Sequence, residues 1–305
     1  MNEPLISVVI PVYNGENTLI ETLSGVIKQT YTQFEIIIVD DGSNNPVETF
    51  IQPFIEDKRI RIFRTERSNA NVARNHGIME SKGEYIAMLD ADDYWLDSHL
   101  QECLDLLRES NADGLYGSLF LRRTRTENIL NLPVFFAHEP QKGESMIDYL
   151  LTTVCGAQTS TLFTTASSMK AIAWDPELID HQDYDFVVRF NKKYQMTVKT
   201  NPTVAYYLSS GRSAHYETCI RFVERNIRDI NPEIYMRYNL KLYARTKQEN
   251  HSEKFASYFL KETLRYKELL TYQQYMSLCN PKNSFREWID KLRYVCYILK
   301  IKSVE

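Results

Sequence analysis

The sequence predicts an α/β fold, with a mostly parallel central sheet flanked by helices over residues 1–215 and a helical region over 216–305. Three observations carry this expectation. Short apolar runs of strand length alternate with segments of helical periodicity, the rhythm of right-handed βαβ units. The first runs are continuously apolar, as in parallel strands buried on both faces. Past residue 216 the strand-like runs stop, and the chain becomes rich in tyrosine and in helical spacing.

Leu5–Val12 reads as the first strand, and Asn14-Gly15 as the turn after it. Leu19, Leu23, Val26 and Ile27 then recur at helical spacing within Glu16–Gln29. Phe34–Val39 is the second buried strand, a helix is expected over Pro46–Phe54, and a short strand over Arg59–Arg64. Val72–Glu80 reads as helix, Tyr85–Leu89 as strand, Ser98–Arg108 as helix and Gly114–Leu121 as strand. Arg122–Gly143 is expected to be a long excursion, and Glu144–Val154 a helix. Thr159–Thr164 and Thr203–Leu208 are candidate strands flanking a helical Asp183–Tyr194.

Composition sets outer limits. The chain has 305 residues, 43% hydrophobic and 25% charged, as a globular protein does. No stretch reaches the roughly 18 consecutive apolar residues of a membrane span. The first residues lack a basic leader and read as the start of the first strand, not as a signal peptide. Five scattered cysteines without a CxxC pair argue against a zinc site or a disulfide framework and point to a cytoplasmic protein. Residues 231–305 hold 14 Lys/Arg against 8 Asp/Glu, so +6 of the chain's net −4 lies there and −10 in the rest. An acidic body with a basic tail does not resemble a nucleic-acid binder.

Ligands of open α/β sheets bind outside the carboxyl ends of the strands. Polar clusters sit at three such ends: Pro11-Val12-Tyr13-Asn14, Asp40-Asp41-Gly42-Ser43 and Asp90-Ala91-Asp92-Asp93. Asp90 and Asp92, two residues apart at a strand end, can both reach one metal-diphosphate unit. Mn²⁺ or Mg²⁺ takes such oxygen ligands and neutralises charge on a departing phosphate. The plainer reading is a turn or a helix cap, which Asp also serves well. Asp41 suits the N3–H donor of a pyrimidine, Tyr13 can pack against the base, and Asp40 can brace the loop. An Asp-Gly turn would place the same residues there without a ligand.

The order Ser7–Asn14, Val39–Ser43, Ala73-Arg74-Asn75 and Asp90–Asp93 resembles glycosyltransferase family 2, with its GT-A fold, strongly over residues 5–120 and more weakly to about 213. The resemblance implies a nucleotide-diphosphate-sugar donor, usually UDP-linked, a divalent cation, and inversion at the anomeric carbon. By position, Pro11, Tyr13 and Asn14 would lie by the nucleoside and Asp41 by the uracil. Arg74, Asn75 and Ala91 would lie near the donor, with Asp90 and Asp92 as the metal motif. Asn69 stands where the family often has Gly, and Asn tolerates left-handed backbone. The family's base usually comes from a Glu-Asp pair with Arg six residues after the Asp. Here His181-Gln182-Asp183 is followed by Arg189, which assigns Asp183 as base, with Gln182 replacing Glu and Asp185 as the rival. Acidic residues beginning a helix are also favoured by the dipole alone.

Other features are weaker. Ser209–Ser213 can close over a diphosphate or form an exposed turn, and Trp95 reads as a packing residue. The histidines show no metal-ligand spacing. Trp288, Leu292, Val295 and Leu299 lie at helical spacing among basic residues within Ser284–Lys302. That helix can lie on an anionic membrane surface, near lipid-linked saccharide acceptors, or pack against protein. The width of its apolar face favours packing. A dinucleotide-binding G-x-G-x-x-G is absent, as is the Gly- and Arg-rich loop of a nucleotidyltransferase. The Gln-x-x-Arg-Trp of processive synthases is also missing. The remaining alternative is a non-catalytic member, against which Asp41, Asp90, Asp92 and Asp183 all speak.

Overall fold

The computed structural model describes residues 3–154, 156–208, 214–249, 253–271 and 274. Ser209–Ser213 and Ser284–Lys302, singled out above, lie outside the described residues. The chain forms two compact units, Met1–Asp229 and Ile230–Glu305.

In the first unit the described elements are β1 (Ile6–Val12), α1 (Leu19–Ile27), β2 (Phe34–Asp40), β3 (Ile60–Arg64), α2 (Ala70–Glu80), β4 (Tyr85–Met88), β5 (Tyr94–Trp95) and α3 (His99–Ser110). After them come β6 (Gly114–Gly117), β7 (Leu119–Arg122), β8 (Val134–Phe135), α4 (Met146–Thr152), β9 (Phe163–Thr165), α5 (Ala166–Ile172), α6 (Gln182–Asn191), β10 (Met196–Lys199), β11 (Val204–Tyr207) and α7 (Tyr216–Asn226). Seven strands form the main sheet in the order β10-β6-β9-β4-β1-β2-β3, and a second sheet runs β5-β11-β7-β8. In the main sheet only β9 runs antiparallel to its neighbours.

The central strands are apolar because helices cover both faces. Every residue of β1 and β2 is buried. In register Val12 lies opposite Asp40, and Asp40 opposite Arg64, so β1, β2 and β3 end together at one rim. Helix α2 packs close against β1 and β2 through Gly77: a Cβ there would stand 2.5 Å from Val9 Cγ1.

Four expectations need correction. Pro46–Phe54 forms two 3₁₀ turns, Val47–Thr49 and Gln52–Phe54, because Pro53 has no N–H to continue an α-helix. Gly114–Leu121 is not one strand. It divides at Ser118 into β6 and β7, which join different sheets, with Ser118 N donating to Lys199 O at 2.9 Å and Ser118 Oγ accepting from Ala137 N at 2.9 Å. Thr159–Thr161 is a 3₁₀ turn, and strand begins only at Phe163. The excursion after β7 carries a further short strand, β8, paired antiparallel to β7.

The second unit contains α8 (Pro232–Gln248) and α9 (Glu253–Leu264); Met236 and Leu240 of α8 form a small core with Leu270, which follows the 3₁₀ turn Lys267–Leu269. No helix among the described residues is long and apolar enough to cross a membrane.

Candidate active site

The rim where β1, β2 and β4 end carries two groups of polar side chains. The first surrounds the β1 and β2 ends. Pro11 is buried within β1 opposite Val39, and the chain leaves the sheet through Tyr13, 46% exposed, and Asn14 in left-handed backbone (φ 52°). Asn14 N donates to Ser43 Oγ at 2.9 Å, and Asn14 Oδ1 accepts from Asn44 N at 2.9 Å, tying the two strand ends together. Asp40 is fully buried and braces the loop, accepting from Ser43 N at 2.8 Å and Arg64 Nη1 at 2.9 Å.

Asp41 is also buried, and both its oxygens are engaged. Oδ1 accepts from Ser68 N at 2.9 Å and Ser68 Oγ at 2.8 Å, while Oδ2 pairs with the Arg67 guanidinium. That guanidinium lies 3.6 Å over the Tyr13 ring. A base stacking on that face of Tyr13 and bonding to Asp41 must therefore share both with Arg67 or move it. Gly42 makes the close approach possible: its φ is +70°, and a Cβ would stand 2.7 Å from Arg67 N.

The second group centres on the acidic turn after β4. Arg74 is 2% exposed, and its Nη2 donates to Asp90 Oδ1 at 2.6 Å. Its Nη1 donates to Asn71 Oδ1 at 2.8 Å, and its guanidinium stacks 4.7 Å over Trp174. Ser160 Oγ accepts from Asp90 N at 3.0 Å and donates to Asp93 Oδ2 at 2.5 Å, fixing the turn from beneath. Ala91 O and Asp93 O both accept from Thr22 Oγ1, at 3.0 and 2.7 Å. Arg125 Nη2 donates to Asp92 O at 3.2 Å. Trp95 is a packing residue, fully buried, stacked on His99 and donating through Nε1 to Ser160 O.

Asp183 stands in the first turn of α6, just after His181 in left-handed backbone (φ 59°). Burial pushes its carboxyl up to about 6. The Tyr184 N–H and the Arg74 charge act the other way, and the Asp90 charge adds to the rise. Asp183, Arg74 and Asp90 are therefore close enough to feel one another. Asp185 differs: it is 3% exposed and accepts from Arg189 Nε at 2.7 Å. Arg189 itself is anchored to Ile172 O and Ala173 O. That carboxylate is committed to holding α6 against the end of α5.

Residues 7–164 match the family described as "Glycosyl transferase family 2", more than half of the chain. The chain belongs to this family of glycosyltransferases. Its relatives include "Amylovoran biosynthesis glycosyltransferase AmsB" of Erwinia amylovora, 31% identical over 217 residues, covering 68% of this chain and 71% of that protein. Other curated relatives align over 111 to 120 residues, and this chain spans less than half of their length. Two solved structures share the GT-A fold at low identity. Staphylococcus aureus TarS 1-349 with UDP-GlcNAc has TM-score 0.57 and 18% identity, over 93% of this chain and 77% of that one. The mannosyltransferase PcManGT of Pyrobaculum calidifontis, with GDP-Man and Mn²⁺, has TM-score 0.58 and 16% identity, over 98% and 87%.

In this family member, several residues that shape the site carry little signal in the sequence. Arg67 gave no signal beyond being a charge in a loop. Asn71 had one, since it shares the buried face of α2 with Arg74, where an apolar residue would be usual. Asn69 keeps the loop in a different way from that expected. Its backbone is extended (φ −166°), and its side chain caps α2, accepting from Asn71 N at 3.0 Å and Val72 N at 3.2 Å. The amide of Asn75 is engaged by the Trp174 backbone on both sides, at 2.7 and 2.8 Å. Among the described residues no three His, Cys, Asp or Glu side chains assemble into a metal cluster.

Proposed function

We propose that this chain moves a single sugar from a UDP-sugar to an acceptor hydroxyl with inversion, using Asp183 as base. The observation that carries this reading is the buried Arg74 bonded to Asp90 at 2.6 Å, with Asp183 near enough to feel both charges and its carboxyl pushed up by burial to about 6. A base with that pKa is ionised at neutral pH yet still takes up a proton. In the proposed step the acceptor oxygen attacks the anomeric carbon while Asp183 removes its proton. The bond from that carbon to the diphosphate oxygen breaks, and its electron pair leaves with UDP.

Pro11, Tyr13, Asn14 and Asp41 would hold the nucleoside, and Arg74, Asn75 and Ala91 would lie by the sugar-diphosphate. Asp90 and Asp92 fit Mn²⁺ or Mg²⁺ by their chemistry: both offer oxygen ligands of the kind a hard cation takes. Two carboxylates supply only part of such a shell, and one Asp90 oxygen is shared with Arg74. The diphosphate and water would supply the remainder. When bound, the cation would neutralise charge on the leaving diphosphate. Arg74 would act beside it, since it is buried and donates to Asp90 at 2.6 Å.

The relationship to AmsB supports a role in polysaccharide biosynthesis, with a saccharide or lipid-linked saccharide as acceptor. The basic excess of residues 231–305 suits a cytoplasmic enzyme touching the inner face of the membrane. The test is calorimetric binding of UDP, GDP and dTDP, each with Mn²⁺ and with EDTA. UDP binding that is lost in EDTA supports the nucleotide and metal assignments together. Binding of GDP or dTDP alone removes the uracil assignment. No metal-dependent binding of any nucleotide by folded protein favours a non-catalytic member.

A further inference from the structure

The segment Trp174–Leu178, which leads into Asp183, lies along the first turns of α2 and is fastened there by three asparagines. Asn69 Nδ2 donates to Pro176 O at 3.0 Å, and Asn75 exchanges two hydrogen bonds with the Trp174 backbone. Asn71, 1% exposed, donates through Nδ2 to both Asp175 O and Leu178 O, each at 2.7 Å. From the other side α7 pairs Arg225 with Asp175 and Arg221 with Glu177.

Asn71 differs from the other two in what its oxygen does. Oδ1 accepts from Arg74 Nη1 at 2.8 Å, and the other nitrogen of the same guanidinium fork holds Asp90 at 2.6 Å. One buried amide therefore joins the acidic turn, through Arg74, to the segment that delivers Asp183. The chemistry explains the residue type. Two carbonyls on one side demand two donors and a guanidinium on the other demands an acceptor, and a carboxamide offers both in one plane. Aspartate could satisfy Arg74 but has nothing to donate to the carbonyls, and serine is short of one donor.

We propose that Asn71 is a positioning residue for the transfer reaction, setting the placement of the Asp183 end of the site relative to the Asp90 end. The proposal rests on the reading of Asp183 as base and of Asp90 as part of the donor site. In-line displacement is sensitive to such placement, because a misalignment of about 1 Å can cost on the order of a hundredfold in rate. Two variants separate the halves of the link. Asn71→Asp keeps an acceptor for Arg74 but sets a carboxylate against the carbonyls of Asp175 and Leu178. Asn71→Ala removes both sides.

The experiment compares the full-length wild type with both variants in four measurements: UDP affinity with Mn²⁺, UDP release from UDP-glucose and UDP-GlcNAc across pH, thermal unfolding, and amide hydrogen exchange. The expected result for Asn71→Asp is UDP affinity within about threefold of wild type. Its UDP release falls at least tenfold, its acid limb near pH 6 is displaced, and exchange rises in 174–183 but not in 86–92. Asn71→Ala raises exchange in both segments and weakens UDP binding as well. A purely packing role predicts instead that affinity, rate and unfolding midpoint fall together in both variants, and that result overturns the proposal. Wild-type rate and pH profile in Asn71→Asp overturn it too. Should the wild type neither bind nor release UDP, the donor reading fails separately. Unchanged exchange in 174–183 of Asn71→Asp then disposes of the structural link.

Discussion

Asp93, the last carboxylate of the acidic turn, is buried and accepts from Ser160 Oγ at 2.5 Å and from Tyr207 N at 2.8 Å. These bonds tie the turn to the segment before β9 and to β11. Asp93→Ala leaves both donors without an acceptor in the interior, at about 1–3 kcal/mol for each unsatisfied group. Partial relaxation brings the expected loss to about 2–4 kcal/mol, or roughly 5–15 °C in unfolding midpoint for a unit of this size. Asp93→Asn should behave differently. Its carbonyl can accept from Tyr207 N, its amide can donate to Ser160 Oγ, and it carries no charge. That last point matters because burial, with Asp92 and Asp90 alongside, pushes the Asp93 carboxyl well above the usual carboxylate range. A raised folded-state pKa means that the native state binds the proton more tightly, so wild-type stability falls as pH rises from about 4 through the raised value. Asparagine has no such loss, and its stability relative to wild type improves with pH over that window. Thermal unfolding of the three proteins at several pH values reads this directly. An asparagine variant as damaged as the alanine one, or an alanine variant as stable as wild type, would refute the account of the turn.

Three further outcomes follow from the same geometry. Arg67→Ala frees the buried Asp41 and the Tyr13 face from the half-exposed Arg67 guanidinium, whose pairing solvent screens to about 1 kcal/mol. UDP affinity by calorimetry should rise up to about fivefold; a fall would make Arg67 a nucleotide contact instead. Asp185→Ala should lower the unfolding midpoint by loosening Arg189, yet retain UDP release within several-fold of wild type. Abolished release in a folded Asp185→Ala would transfer the base role to Asp185. Gly77→Ala must fit a methyl group 2.5 Å from Val9 Cγ1. Overpacking of about 1–3 kcal/mol should exceed the gain of up to about 1 kcal/mol in helix propensity, a balance that chemical denaturation measures.

Much of this was legible in the residues. Continuous apolar runs identified β1 and β2 because burial on both faces leaves no room for alternation. The polar strand ends were readable because the carboxyl rim of a parallel sheet is where such residues have a purpose. What escaped was set by tertiary contacts with weak local signatures. Ser118 splits an apolar run between two sheets through bonds to Lys199 and Ala137, far away in sequence. β5 and β8 span two residues each, and their pairing with β11 and β7 defines them more than their own composition does. The occupation of Asp41 by Arg67 and the link made by Asn71 each depend on a loop folding back over a helix end. No pattern of spacing reports that. Asn69, which caps α2, and Asn71 and Asn75 within it were visible as letters, but their partners lie some hundred residues further on.

The most direct test of the central claim is Asp183→Asn, assayed for UDP binding with Mn²⁺ and for UDP release from a UDP-sugar across pH. Removal of a general base typically costs about 10²–10⁴ in rate. The account predicts a loss of that size with nucleotide affinity within about threefold of wild type. The wild-type rate itself should decline below pH about 6, as Asp183 takes up its proton. Retention of a tenth or more of the wild-type rate, or a pH profile unchanged by the substitution, would contradict it.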